Sequence, residues 1–129
     1  MLTKVPKILV IDDEPLICQV VAEALESHAI VDFHKTGWDN LRAAKTHEYD
    51  LIITDLCMDD ISGETIIKHI HKQKPNQPIV VITAGKRGKI HEEALLNLGV
   101  IRIFHKPFGN LETFAAHVMD CLRFDKSVA

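Results

Sequence analysis

The chain has only three cysteines, Cys18, Cys57 and Cys121. They are odd in number and widely spaced, which argues against a disulfide framework and fits a reducing compartment. No stretch approaches the roughly 18 apolar residues of a membrane span, and Met1-Leu2-Thr3-Lys4-Val5-Pro6 lacks the apolar core of a signal peptide. Basic clusters are scarce: Lys86-Arg87-Gly88-Lys89 stands alone in a chain of net charge −3. That leaves no electrostatic footprint for nucleic acid. The same segment, read from Gly85, lacks the G-x-x-x-x-G-K-[ST] spacing of a nucleotide-binding loop. Internal repeats, low-complexity tracts and linkers are missing too. The expectation is a cytoplasmic protein that itself contacts neither nucleic acid nor membrane.

What is present is ordinary for one globular domain over 1–129: 129 residues, 47% hydrophobic and 26% charged. It is read as either a complete small protein or one domain of a longer one. Short apolar runs alternate with segments of helical period, the pattern of βα units feeding a parallel sheet. Strands are expected at Lys7 to Ile11, Ile30 to Phe33, Leu51 to Asp55, Ile79 to Thr83 and Val100 to Phe104. The second, in which Asp32 and His34 alternate with Val31 and Phe33, reads as an edge. The central ones show little alternation, as expected for strands covered on both faces.

Helices are expected at Pro15 to Ser27, Trp38 to Lys45, Gly63 to Gln73, Ile90 to Leu98 with Ala94 and Leu95 inward, and from Leu111 onward. Pro15 is tolerated in the first turn of its helix, and Asn110 is a suitable N-cap for the last. Asp125 to Ala129 reads as a polar tail. Trp38 is expected to pack in the core or at its edge.

Chemistry gathers at the carboxyl ends of these strands. Asp12 and Asp13 close the first run and Asp55 closes the third. If those strands lie side by side and parallel, the three acids converge on the sheet edge where open α/β folds bind ligands. Each pair of such anions repels by roughly 4 kcal/mol at about 4 Å and an effective dielectric near 20. The cluster therefore asks for a cation. Thr83 ends the fourth run, and Lys106 with Pro107 follows the fifth, so a hydroxyl and an ammonium reach the same edge. These groups suit a divalent metal and a phosphoryl group. Eight histidines are scattered. His69 and His71 diverge on one helix, His117 and Cys121 lie beside a core stripe, and no carboxylate completes a metal set, so surface positions are expected.

Val10-Ile11-Asp12-Asp13-Glu14-Pro15, Ile53-Thr54-Asp55-Leu56-Cys57-Met58 with Gly63 beyond it, Val81-Ile82-Thr83-Ala84 and Lys106-Pro107-Phe108 occur in register. Together they resemble the receiver domain of two-component response regulators over nearly the whole chain. The resemblance implies a flavodoxin-like, doubly wound (βα)5 fold whose parallel five-stranded sheet has the order 2-1-3-4-5. It implies Asp55 as phosphoacceptor, a Mg2+ site of Asp12, Asp13, Asp55 and the Cys57 backbone carbonyl, and Thr83 and Lys106 as contacts of the phosphoryl oxygens. It also implies a cis Lys106-Pro107 peptide. The implied partners are a sensor histidine kinase or phosphotransfer protein as donor, and an output domain or partner protein as receiver of the signal. A homodimer through the face of the fourth helix, fifth strand and fifth helix is a further implied mode.

The chain departs from the family pattern at some positions. Ile103 stands where Tyr or Phe is common in the switch, with Phe104 beside it, so either Ile103 moves less or Phe104 takes over. Asp59 stands where proline is frequent and, with Asp60, adds anions near the site. The segment from Thr83 to Gly99 is one residue longer than usual, which is assigned to a flexible basic loop over Gly85-Lys86-Arg87-Gly88. Cys57 and Gly85 occupy positions that influence acyl-phosphate hydrolysis in the family. Two other functions compete. A receiver-like docking module would not take phosphate. A metal-dependent phosphatase with an aspartyl-phosphate intermediate wants a carboxylate two residues after the nucleophile, where this chain has Cys57.

Overall fold

The computed structural model describes residues 4–84 and 88–127, with side chains from 4–84 and 92–122. Five strands alternate with five helices: β1 Lys7–Ile11, α1 Pro15–Leu25, β2 Ile30–Phe33, α2 Gly37–Thr46, β3 Leu51–Asp55, α3 Gly63–Gln73, β4 Ile79–Thr83, α4 Gly88–Asn97, β5 Arg102–His105 and α5 Leu111–Ser127. The strands form one parallel sheet of order β2-β1-β3-β4-β5. This is the doubly wound architecture expected from the alternation of elements, with β2 at an edge.

Period-two alternation sorts the central strands onto two cores. Ile8, Val10, Leu51, Ile53, Val80 and Ile82 pack with residues of α1 and α5. Leu9, Ile11, Ile52, Ile79 and Val81 face the other way, onto α2, α3 and Leu95 of α4. Every one of these strand residues is fully buried. At about 1.5–3 kcal/mol per buried aliphatic side chain, the two layers hold the strand ends in fixed register.

Local chemistry sets the element ends. Pro15 opens α1 at a position that needs no N–H. Asn110 caps α5, its Oδ1 accepting the Thr113 N–H at 2.9 Å. Four boundaries differ from the sequence reading by two residues or more, and α2, α4 and β5 shift by one residue at others. β5 begins at Arg102 instead of Val100, because the Val100 N–H bonds back to the Leu95 carbonyl at 3.3 Å and Gly99, at φ +96°, ends α4. This left-handed helix stop consumes the first residues of the apolar run. α1 ends at Leu25, whose carbonyl accepts from His28 and Ala29 in a closing turn. α4 begins at Gly88, and Ala94 on it is exposed while Leu95 is buried. α5 continues through Asp125 and Lys126 to Ser127, since no Gly or Pro interrupts it. The basic loop assigned to Gly85, Lys86 and Arg87 lies outside the described residues.

Two side chains differ from expectation as well. Trp38 is 56% exposed and not in the core. His71 is not a free surface histidine: Nδ1 lies 2.9 Å from the Leu98 carbonyl and Nε2 3.0 Å from that of Gln77, tying α3 to the ends of α4 and of its own following loop.

Candidate functional site

The register pairs Ile11 with Thr54. One step further along both strands, Asp12 lies beside Asp55, each on the face that carries Val10 and Ile53. Asp12 is 2% exposed and Asp55 5%. One carboxylate oxygen from each of Asp12, Asp13 and Asp55 falls within 4.8 Å of the others. The convergence expected of these three acids is therefore present.

Each carboxylate is held by a named donor. Asp12 Oδ1 accepts the Glu14 N–H at 2.9 Å, and Asp12 Oδ2 accepts from Lys106 Nζ at 2.8 Å. Asp55 Oδ1 accepts the Leu56 N–H at 2.8 Å, while its Oδ2 faces Lys106 Nζ at 3.5 Å. Asp13 Oδ2 accepts the Asp59 N–H at 3.0 Å. Glu14 Oε1, a residue the sequence reading did not single out, stands 3.7 Å from the same ammonium. Lys106 directly follows β5 and precedes a cis peptide bond to Pro107, and its own N–H donates to the Thr83 carbonyl at 2.9 Å. Thr83 ends β4 buried and one residue beyond Ile82, the register partner of Asp55. Cys57 lies exposed in the β3–α3 loop.

The electrostatics follow from this crowding. Burial, then the charge of Asp12, raises the Asp55 carboxyl above its ordinary range, and Lys106 and the Leu56 N–H only partly offset them. Burial works against the Lys106 ammonium, but the hydrogen bond and charge of Asp12, followed by Asp55 and Glu14, hold it above its usual value. Cys18, whose Sγ donates to the Asp12 carbonyl at 3.4 Å, is pushed up to about 11 by burial and then by Asp12. Among the described residues, the Lys106 ammonium alone faces these acids, and the site still carries excess negative charge.

A small divalent cation fits these donors. They are hard carboxylate oxygens on rigid strand ends, the preference of Mg2+, which binds through one or two carboxylates and keeps several waters. A cavity of about 150 Å³ opens beside Asp12 and Asp13 on the side of Pro15 and Phe33, away from Asp55 and Lys106.

Gly63 has a steric reason to be glycine. A Cβ there would overlap the Asp55 carbonyl oxygen and crowd Leu56 Cα, while the Gly63 N–H donates to the Leu56 carbonyl at 2.9 Å. The turn after Asp55 closes against the start of α3 only without a side chain. The two anions expected near the site behave differently. Asp59 contributes its amide to Asp13. Asp60 turns its carboxylate onto the start of α2, accepting from Gly37 N at 3.2 Å and Trp38 N at 3.0 Å. No local pattern around Asp60 announces those partners.

Ile103 and Phe104 occupy opposite faces of β5. Ile103 pairs with Val81 and packs on the α2–α3–α4 side, which Thr83 shares by strand period. Phe104 is buried on the α1–α5 side, edge-on to Phe114 at 5.1 Å between ring centroids.

The pattern described as the response regulator receiver domain matches residues 8–118. The chain belongs to this family, the receiver domains of two-component systems, which act as phosphorylation-dependent switches. Response regulator ArlR of Staphylococcus aureus is 34% identical over 118 residues, covering 91% of this chain and 52% of ArlR. Transcriptional regulatory protein CusR of Escherichia coli is 32% identical over 111 residues, covering 84% of this chain and 48% of CusR. The chain thus spans about half the length of these curated relatives. A CheY-like receiver domain protein from Methanospirillum hungatei superposes with a TM-score of 0.87 at 20% identity, covering 98% of this chain and all of that one, a likeness of fold.

Proposed function

We propose that this chain accepts a phosphoryl group on Asp55 and uses the resulting acyl phosphate as a conformational signal. The observation that carries the reading is the position of Asp55: nearly buried, beside Asp12, with its Oδ2 3.5 Å from the Lys106 ammonium. An Asp55 carboxylate oxygen attacks the phosphorus of a phosphohistidine on a sensor kinase or phosphotransfer protein. The P–N bond breaks, the imidazole nitrogen keeps the electron pair, and an aspartyl phosphate remains. A carboxylate nucleophile needs no general base, so the chain needs no base beside Asp55.

Phosphoryl transfer is mostly positioning and charge stabilisation. The Leu56 N–H fixes the plane of the Asp55 carboxylate, and the Lys106 ammonium stands ready to pair with a phosphoryl oxygen. Asp12, Asp13, Asp55 and the Cys57 carbonyl would hold Mg2+, which when bound supplies charge neutralisation of the phosphoryl oxygens. Thr83 offers a hydroxyl at the end of β4. Its engagement moves Thr83 toward the phosphoryl oxygens, and the space left on that face is met by Ile103, which shares it. The face of α4, β5 and α5 then repacks to reach an output domain, a partner protein or a second copy. Moving such a switch from 1:99 to 99:1 takes about 5.5 kcal/mol of differential binding, within reach of several charge-assisted bonds.

The phosphatase alternative is disfavoured by Cys57, exposed at the position where its acid/base carboxylate would stand. Amide chemical shifts recorded with Mg2+ and beryllium fluoride separate a switch from an inert docking module. A switch shows saturable shifts at the acidic site and at β5. Spectra that do not change would overturn the proposal.

A further inference from the structure

The first turn of α2 is capped by the acceptor loop. Gly37 N and Trp38 N donate to the two carboxylate oxygens of Asp60, 3.2 Å to Oδ1 and 3.0 Å to Oδ2, across 23 and 22 residues of chain. The Asp39 N–H goes to Thr36 Oγ1 at 3.0 Å and the Asn40 N–H to the Thr36 carbonyl at 3.0 Å. The Asn40 bond is the first of the helix itself, so three of the amides that a helix start leaves without intrahelical partners, those of Gly37, Trp38 and Asp39, are satisfied by side chains, two of them by one residue of another loop. Gly37 makes the approach feasible: a Cβ there would overlap Ile61 Cγ2 and lie 2.7 Å from Asp60 Oδ1. Asp60 also complements the positive end of the helix dipole. Burial acts to raise its carboxyl, yet the bonds from Trp38 and Gly37 hold it below its ordinary range.

The loop anchored in this way is the one that serves the cation site. Its Asp59 amide holds Asp13 Oδ2 at 3.0 Å, one residue before Asp60, and Cys57 lies two residues before Asp59. At its far end Gly63 is bonded back to Leu56. Between the strand end at Asp55 and the helix start at Gly63, the Asp60 clamp joins the loop to α2 by hydrogen bonds, beside the buried Ile61 that packs in the same cluster as Leu41 of α2.

We infer that Asp60 is a positioning residue for the cation site, fixing the β3–α3 loop on the α2 N-terminus so that the Asp59 amide and the Cys57 carbonyl are presented in place. The inference rests on the reading of Asp12, Asp13, Asp55 and Cys57 as that site. Outer-shell partners of metal ligands change affinity by about 10- to 100-fold when removed. Asp60→Ala is therefore expected to weaken Mg2+ binding by about tenfold, read as the concentration of MgCl2 at half-saturation of amide chemical shifts. Asp60→Asn, which keeps one acceptor oxygen, falls between Asp60→Ala and the native chain. Both variants keep a folded spectrum, and the amide resonances of Gly37, Trp38 and Asp59 move together.

Native-like Mg2+ affinity in a folded Asp60→Ala protein overturns the positioning role, whatever the loss of thermal stability from the missing cap. Should Asp60→Ala unfold, Asp60→Asn decides by the same half-saturation measure, with native affinity again overturning the role. Absence of saturable Mg2+ binding by the native chain overturns the cation site and this inference together, which distinguishes the two failures.

Discussion

Lys106 Nζ donates to Asp12 Oδ2 at 2.8 Å, a pairing between residues 94 positions apart in the chain. The ammonium is 10% exposed and the Asp12 side chain fully buried, so neither charge has water to fall back on. Removing the cation leaves Asp12 beside Asp55 with the backbone N–H groups of Glu14 and Leu56 but, among the described residues, no facing ammonium. Lys106→Ala is expected to cost about 3 kcal/mol of unfolding free energy at pH 7 in metal-free buffer, the range seen when one partner of a buried pair is removed. Urea denaturation checks this, and a loss under about 0.5 kcal/mol, typical of exposed pairs, would show the pair to be solvated.

The ionised Asp55 carboxylate costs the folded state stability. Its carboxyl is raised above 3.8 by burial and by Asp12, so at pH values just above 3.8 the native state holds a proton that the unfolded chain has released. The stabilising contribution is full below 3.8 and is lost as pH rises through the native value. Without metal, Asp55→Asn is expected to unfold at a higher temperature than the native chain at pH 7, with the difference shrinking as pH is lowered toward 3.8. Equal melting temperatures at pH 7 would contradict this balance of charges.

The cysteines should differ in reactivity. Cys57 is exposed, whereas Cys18 and Cys121 are buried and have raised thiol pKa values, burial first among the causes for each. Since the thiolate is the nucleophile, iodoacetamide at pH 8 should modify Cys57 first and leave Cys18 untouched while the chain stays folded. Peptide mass mapping over time reads the order, and early modification of Cys18 would show the α1–β1 contact to be open.

Coupling from Thr83 to the output face should run through Ile103. The strand period puts Ile103 on the Thr83 side of β5 and Phe104 against Phe114 on the other. Ile103→Ala is expected to reduce the beryllium fluoride shifts of β5 amides while leaving those around Asp55. Phe104→Leu should lower stability by about 1 kcal/mol, as near-isosteric core changes do, with the β5 shifts retained. The reverse pattern would assign the switch to Phe104.

The sheet could be read from sequence because its core strands are uninterrupted apolar runs buried on both faces. The acids at their ends needed only parallel pairing to converge, and the observed register of Ile11 with Thr54 provides it. The start of β5 could not be read, since Val100 is as apolar as a strand residue and the bond that diverts it comes from Leu95. Ala94 misled for a related reason: a helix of 10 residues with a weak stripe leaves its facing side to be settled by tertiary contacts. Asp60 and His71 were illegible because their partners are carbonyls and amides of distant segments, which leave no mark on side-chain pattern. Gly63 was visible by spacing, but its cause, the approach of the Asp55 carbonyl, is a property of the folded turn.

Phosphorylation itself is the most direct test. The intact mass of the native chain after incubation with Mg2+ and acetyl phosphate should show a single added phosphoryl group, absent with excess EDTA and absent in Asp55→Asn, whose circular dichroism stays that of a folded α/β domain. Stoichiometric, persistent labelling of Asp55→Asn, or no labelling of the native chain under saturating donor, would contradict Asp55 as the acceptor.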